Sequence, residues 1–178
     1  MSSLQKFHRR TMSSSSTITW PATAIGMGDE IHGFWLGDVT TNKLIVAPLS
    51  TEINAAWGTS GTTRGTVSAT NGLANTNTLY AFGSAAHPAA YYCKTLATGG
   101  YNTWYMPAKD ELITIYSNKS ATPFVVANGT SGNYYWSSTE ATGTTSSAQR
   151  FITGNYPVSN RPKTQDWNSV RAIRRSTI

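Results

Sequence analysis

The sequence predicts an α+β domain that is poor in helix and rich in loop, and three observations carry that prediction. Only 12% of the 178 residues are charged, so solubility rests on Ser, Thr, Asn and Gly, a composition uncommon in helical cytosolic enzymes. Short apolar runs bounded by Gly and Asn recur along the chain, as brief strands do. Helical periodicity with clear end signals is confined to two stretches near the middle. At this length one core is expected, and six Trp, nine Tyr and five Phe supply the bulk to pin it.

In chain order, residues 1–24 hold KFHRR, a four-serine run and TITWPATA, too few apolar groups to bury anything alone. Two readings of this arm stand: a disordered tail, or an attachment segment ordered against a neighbouring subunit through Phe7, Arg9, Arg10, Ile18 and Trp20. From residue 25 the pattern changes. IHGFWLGDV and NKLIVAPL form a hairpin turned at VTTNK, with Gly33 and Gly37 allowing the first strand to bend. Residues 57–75 are nearly all Gly, Thr, Ser and Asn and are expected as loop. A turn or short helix near 75–82 follows, with Leu79 and Phe82 inward.

Pro88 opens the first clear helix, whose inner face is Ala89, Tyr92, Cys93 and Leu96, and Gly99-Gly100 ends it. Cys93 falls on that buried stripe and reads as a structural thiol. As the single cysteine, it allows no intrachain disulfide and no cysteine-based metal cluster. Pro107 opens the second helix, Asp110 and Glu111 face the positive end of its dipole, and Leu112, Ile115 and Tyr116 point inward. In the last third YYWSST, RFITG and SVRAIRR read as strands, with EATGTTSSAQ and NYPVSNRPKTQDWN as loops. Alternation in the final strand sets Val170, Ala172 and Arg174 on one face and Arg171, Ile173 and Arg175 on the other.

The stretch NYYWSSTE over 133–140 invites a catalytic reading, with a Ser nucleophile and a Glu base. A Ser nucleophile needs a base within hydrogen-bond reach. The histidines, His8, His32 and His87, fall in the arm, a strand and a helix-start loop with no triad spacing, so no catalytic residue is expected. The carboxylates are dispersed, and no metal site or cofactor is expected. The net charge of +6 is scattered and no nucleic-acid-reading motif accompanies it, which points to an acidic protein or polysaccharide partner and not to nucleic acid. No secretory signal and no bilayer-spanning run is read, so synthesis in a cytoplasm without membrane insertion is expected.

Taken together, GGYNTWYMPAKDELITIYSNK, NYYWSSTE, AQRFITG and the closing VRAIRR, preceded by HGFWLGDVTTNKLIVAP, INAAWG and LANTNTL, resemble the Lcl C-terminal domain family. That family is placed in the formylglycine-generating-enzyme-like superfamily of C-type-lectin folds. The resemblance covers 25–178. It implies a C-type-lectin-like α+β fold: two helices packed on small twisted antiparallel sheets, the N- and C-terminal strands paired, and long polar loops. Trp104 and Trp136 would then fill the core and Ser137 and Ser138 would tie loop backbone. Glu140 would accept from backbone N–H groups or from Arg171 or Arg174. The superfamily's oxidase chemistry uses a cysteine pair, which this chain lacks.

Similar scaffolds include phage receptor-binding proteins diversified in the loops before the final strand. Carried over, the ligand-binding candidates are Thr142, Thr144, Thr145, Gln149, Asn155, Tyr156, Asn160, Arg161, Gln165 and Trp167. The expectation is a non-enzymatic virion protein of tail-fibre or receptor-binding type. Its arm would meet other virion proteins, and its loops a host surface glycan or protein. A homo-oligomer is expected, trimers being common in fibres. The alternative is a structural capsid decoration or head-fibre subunit.

Overall fold

The structure, a computed structural model, describes residues 28–29, 32–39, 41–119, 134–151 and 157–177. The arm, with Phe7, Arg9, Arg10, Ile18 and Trp20, lies outside the described residues.

The expected hairpin forms from β2 (Gly33–Val39) and β3 (Asn42–Val46). A register shift between Trp35 and Asp38 breaks its ladder. Gly37 sits there at φ +121°, where a Cβ would lie 2.7 Å from the Thr114 methyl, so only glycine permits both this bulge and the close helix beside it. β1 (Gly28–Asp29) flanks β2, and β9 (Ile173–Thr177) pairs antiparallel with β3. This closes a four-stranded sheet at which the hairpin meets the end of the chain. A second sheet has the order β4 (Ile53–Asn54), β8 (Ser169–Val170), β5 (Tyr134–Glu140), β6 (Thr145–Arg150), β7 (Ser159–Pro162). It departs from the antiparallel expectation at one place: β5 and β8 run parallel.

Among the described residues three α-helices cover these sheets: α1 (Gly72–Tyr80), α2 (Pro88–Thr95) and α3 (Lys109–Ser117). Alternate strand residues enter two apolar cores, as a period of two requires when both faces are covered. Trp35, Ile45, Trp136 and Ala172 join Leu79, Cys93 and Trp104 beside α1 and α2. Their neighbours Leu36, Leu44, Tyr135 and Ile173 join Leu112 and Ile115 of α3. The alternation expected for the final strand is present in those cores, with Val170 and Ala172 in the first and Ile173 in the second.

Several elements differ from expectation. The loop read over 57–75 ends early, because Asn71 caps α1 by accepting from the Ala74 N–H at 3.0 Å. Phe82, expected inside, is 49% exposed and instead carries the Arg64 guanidinium on its ring at 4.2 Å. α2 stops at Thr95, since Leu96 is already extended. Gly99 and Gly100 turn a small hairpin that bridges Thr98 and Tyr101. α3 starts two residues after Pro107, at Lys109. The two loops of the last third each contain a strand, β6 and β7. SVRAIRR is split into β8 and β9 around Arg171 and Ala172. In RFITG, Arg150 ends β6 and residues 152–154 lie outside the described residues.

Candidate functional site

The hydroxyl-rich motif on β5 is scaffold. Ser137 Oγ donates to the Ser147 carbonyl across the strand pair at 2.9 Å, and Ser138 Oγ donates to the Pro107 carbonyl at 3.2 Å. Trp57 Nε1 donates to the Ser137 carbonyl and Trp136 Nε1 to the Ala55 carbonyl, each at 2.9 Å. Both serine hydroxyls thus spend their proton on a backbone oxygen, and neither is directed at a base.

Glu140 ends the motif in a buried clasp of three loops. Its carboxylate accepts from Arg64 N–H at 2.9 and 2.8 Å, from Gly65 N–H at 2.9 Å and from Lys163 Nζ at 2.5 Å. The cation is therefore Lys163, and the expected partners Arg171 and Arg174 lie elsewhere. Arg171 Nε donates to the Ala47 carbonyl at 2.9 Å with Glu52 3.8 Å from its Nη1, and Arg174 stacks on Tyr101. Lys163 also donates to the Thr62 and Gly143 carbonyls, each at 3.0 Å, and lies 4.8 Å from the Trp57 ring centre. All three of its donors are used, which is what a fully buried ammonium requires.

His87 extends the clasp. Arg64 Nε donates to its Nε2 at 3.0 Å, which leaves the proton on Nδ1, 3.3 Å from the Trp57 carbonyl. Burial pulls its pKa below the ordinary 6.5, opposed by that carbonyl and reinforced by the Arg64 and Lys163 charges. The imidazole is held neutral as a structural acceptor.

A second hub was missed from sequence beyond its helix-start role. Glu111 accepts from Ala108 N–H at 2.8 Å, Gly72 N–H at 3.2 Å, Tyr105 OH at 2.9 Å, and Arg175 Nε and Nη2 at 3.0 and 2.7 Å. It joins the start of α1, the start of α3 and the last strand.

Open space adjoins the clasp at Glu140. A cleft of about 900 Å³ runs between α3 and the β6–β7 strands, lined by Lys109, Ile113, Tyr116 and Lys119 on one side and Ser147, Gln149, Val158 and Asn160 on the other. Register explains that grouping: Gln149 pairs with Tyr135 and Ser147 with Asn160, so these side chains share one face of the sheet. The Lys119 ammonium sits 3.8 Å above the Tyr116 ring centre. Of the residues around it Ile113 and Asn160 are exposed and Lys109, Lys119 and Val158 half-buried, whereas Tyr116, Ser147 and Gln149 are buried.

The ten candidate ligand residues are not brought together. Gln149 and Asn160 line the cleft. Arg161 belongs to the opposite face, opposite Ser146, where its Nε donates to Gln165 Oε1 at 3.1 Å and its guanidinium lies 4.4 Å from the Tyr134 ring centre. Trp167, 54% exposed, follows on the β7–β8 connection. Thr142, Thr144 and Thr145 shape the β5–β6 turn. There Thr142 Oγ1 takes the Thr144 and Thr145 N–H groups at 3.2 and 3.0 Å and sits 2.8 Å from Thr145 Oγ1. Asn155 and Tyr156 lie outside the described residues.

Among the described residues no group of three His, Cys, Asp or Glu side chains could hold a metal ion. No described helix is long and apolar enough to cross a membrane. The Lcl C-terminal domain family matches residues 14–174, which takes in the described helices, the cleft and both sheets up to Arg174 in β9. No curated protein matches the chain.

Proposed function

Since the chain belongs to the Lcl C-terminal domain family, we propose that it is a non-enzymatic recognition domain of a phage virion, of tail-fibre or receptor-binding type. In this reading it holds a host surface glycan or protein against the α3–β7 side, and residues 1–24 join it to other virion proteins or sister subunits. The observation that carries the reading is the cleft: a solvent-open space walled by a strand pair and a helix, with Asn160 exposed and Lys109 and Lys119 half-buried along it. Adaptable polar groups are what loop-based recognition uses. The serine hydroxyls bound to backbone carbonyls support a role without catalysis. Lys109 and Lys119 suit an acidic ligand.

The test is binding of the purified chain to host cells. Asn160→Ala combined with Lys119→Ala is expected to weaken binding by about tenfold or more, and Trp167→Ala reports whether the exposed β7–β8 connection contributes. Unchanged binding by all these variants, with melting curves intact, would sink the proposal. A second reading, a decoration or head-fibre subunit whose surface touches only other virion proteins, draws on apolar side chains left in solvent: Val67 at 72% and Phe82 at 49%, with Leu73 and Tyr80 beside them in chain order. It requires the 141–168 surface to be covered in the assembled particle.

A further inference from the structure

The contact between Arg64 and His87 can exist in one protonation state only. An arginine keeps its proton in a protein, so Arg64 Nε–H is always a donor. It points at His87 Nε2 from 3.0 Å, and that nitrogen must therefore carry a lone pair. The other ring nitrogen, Nδ1, lies 3.3 Å from the Trp57 carbonyl and holds the single proton of the ring. A second proton, placed on Nε2, would set N–H against N–H at hydrogen-bond distance. The contact would then turn from attraction into repulsion between two cations.

Packing decides which partner gives way. The His87 ring is fully buried. It meets the Trp57 ring edge-on at 5.1 Å and the Phe82 ring at 5.9 Å. The Gly58 backbone is so close that a Cβ there would come within 2.2 Å of Nδ1, and on that side the imidazole cannot retreat. The Arg64 backbone is fixed as well, since its N–H and that of Gly65 donate to Glu140. The Arg64 side chain is held differently. The residue is half-buried, and its guanidinium lies over the Phe82 ring at 4.2 Å, a ring that is itself 49% exposed. The guanidinium is thus the part with water to move into.

The groups around His87 disfavour a closed, protonated form. Burial opposes the charge most strongly, and the Arg64 and Lys163 cations add to it, while the Trp57 carbonyl and the Glu140 carboxylate act the other way. Lys163 cannot step back, being held by Glu140 and the Thr62 and Gly143 carbonyls. Departure of the Arg64 guanidinium removes one of the two opposing charges and lets water reach Nε2. It also uncovers Phe82, which belongs to a stretch, 65–93, without a single Asp, Glu, Lys or Arg.

We infer that Arg64 is an acid-released latch. With His87 neutral its guanidinium is held over the Phe82 ring; with His87 protonated it swings into solvent and leaves that ring bare, while the clasp and both sheets stay in place. The surface at the α1–α2 connection changes from a cation-capped ring to an open one as pH falls. The device is separate from the cleft and does not rest on the recognition reading. Once the latch is open the imidazole titrates near its ordinary value of about 6.5, whereas the closed form excludes the proton. Each pH unit below that value then multiplies the ratio of open to closed by about ten. Between neutrality and about pH 5 the ratio rises by up to about thirtyfold.

Nuclear magnetic resonance of the full chain, titrated from about pH 7.5 to about pH 5, tests this. The Arg64 Nε–Hε signal should shift with the same midpoint as the His87 ring protons, and its through-space contact with the Phe82 ring protons should fade in step. The Arg64 and Gly65 backbone amides should keep their positions. His87→Gln offers an acceptor that does not titrate, so there the Arg64 signal should hold still over the same range. An Arg64 signal that stays put in the wild type down to about pH 5, or that moves equally in His87→Gln, overturns the inference. Loss of the backbone amides of both sheets at the His87 midpoint overturns it too, because the event would then be global unfolding. Should His87→Gln fail to fold, the wild-type titration alone decides between the shared midpoint with intact amides and those contrary results.

Discussion

Replacing Lys163 by Met tests whether the clasp holds three loops or merely decorates them. Met keeps an unbranched apolar stem near the Trp57 ring, so the change removes the ammonium and little packing. Three acceptors lose a donor at once: Thr62 O, Glu140 Oε1, which keeps the Arg64 N–H, and Gly143 O, which keeps the Gly61 N–H. Removing one partner of a buried ion pair costs about 3–5 kcal/mol, because the other charge stays buried. Here the lower end applies, since Glu140 keeps the Arg64 and Gly65 amides. About 3 kcal/mol is a large share of a typical total of about 5–15 kcal/mol. For a chain of this size it lowers the melting midpoint by roughly 6–12 °C. Calorimetry reads the midpoint, and amide exchange at Arg64 and Gly65 should quicken as the loops loosen. Glu140→Gln added to Lys163→Met should cost less than the sum of the single changes, because no buried charge is then left unpaired. A midpoint within about 2 °C of wild type, or strict additivity in the double variant, refutes the reasoning.

Two further outcomes follow from the same geometry. His87 has a folded pKa below its ordinary 6.5, so the stability of its neutral form is complete above that value and is lost as pH falls toward the folded pKa. The wild-type melting midpoint should therefore drop on acidification to about pH 5 more steeply than that of His87→Asn; parallel curves would show the imidazole is not held as described. At Gly72 a Cβ would lie 2.5 Å from both the Ala108 nitrogen and Glu111 Oε2 and 2.6 Å from the Met106 carbonyl. Gly72→Ala should then destabilise by about 1–3 kcal/mol in urea unfolding, although Ala is the better helix former by up to about 1 kcal/mol. A gain in stability would mean the start of α1 is not wedged against α3.

What could be read from the sequence was what lies within one element. The β2–β3 hairpin announces itself by apolar runs around a turn, and α2 and α3 by Pro at the start and an apolar stripe. β6 and β7 escaped because β6 buries only Ser, Ala and Gln and β7 buries no residue fully, so both have the composition of a loop. Ser146 is buried with its Oγ donating to the Thr139 carbonyl one strand away, 2.9 Å distant. Long-range partners were beyond reach for the same reason. Lys163 lies in a polar stretch with nothing local to mark it, and it meets Thr62 across 101 positions of chain. The grouping of Gln149 with Asn160 becomes visible only once both strands are recognised and their register known.

The register also says where this scaffold can vary. On an ordinary half-exposed strand every second residue meets water, yet β5 is buried without interruption from Tyr135 to Glu140. Both of its faces are covered, Trp136 entering one core and Tyr135 the other, and a register shift between Trp136 and Glu140 turns the hydroxyl residues toward neighbouring backbone. A substitution there leaves either a cavity or an unpaired polar group, each costly. β7 alternates between half-buried and exposed, and the β5–β6 turn satisfies its own threonines, so both can change side chains without disturbing either core. The Glu140–Lys163 clasp joins these two stretches at their base. Change at Asn160 or Trp167 therefore alters what the surface touches while its position stays fixed by the clasp. On the recognition reading proposed above, a fixed frame with replaceable side chains lowers the ordering cost of binding.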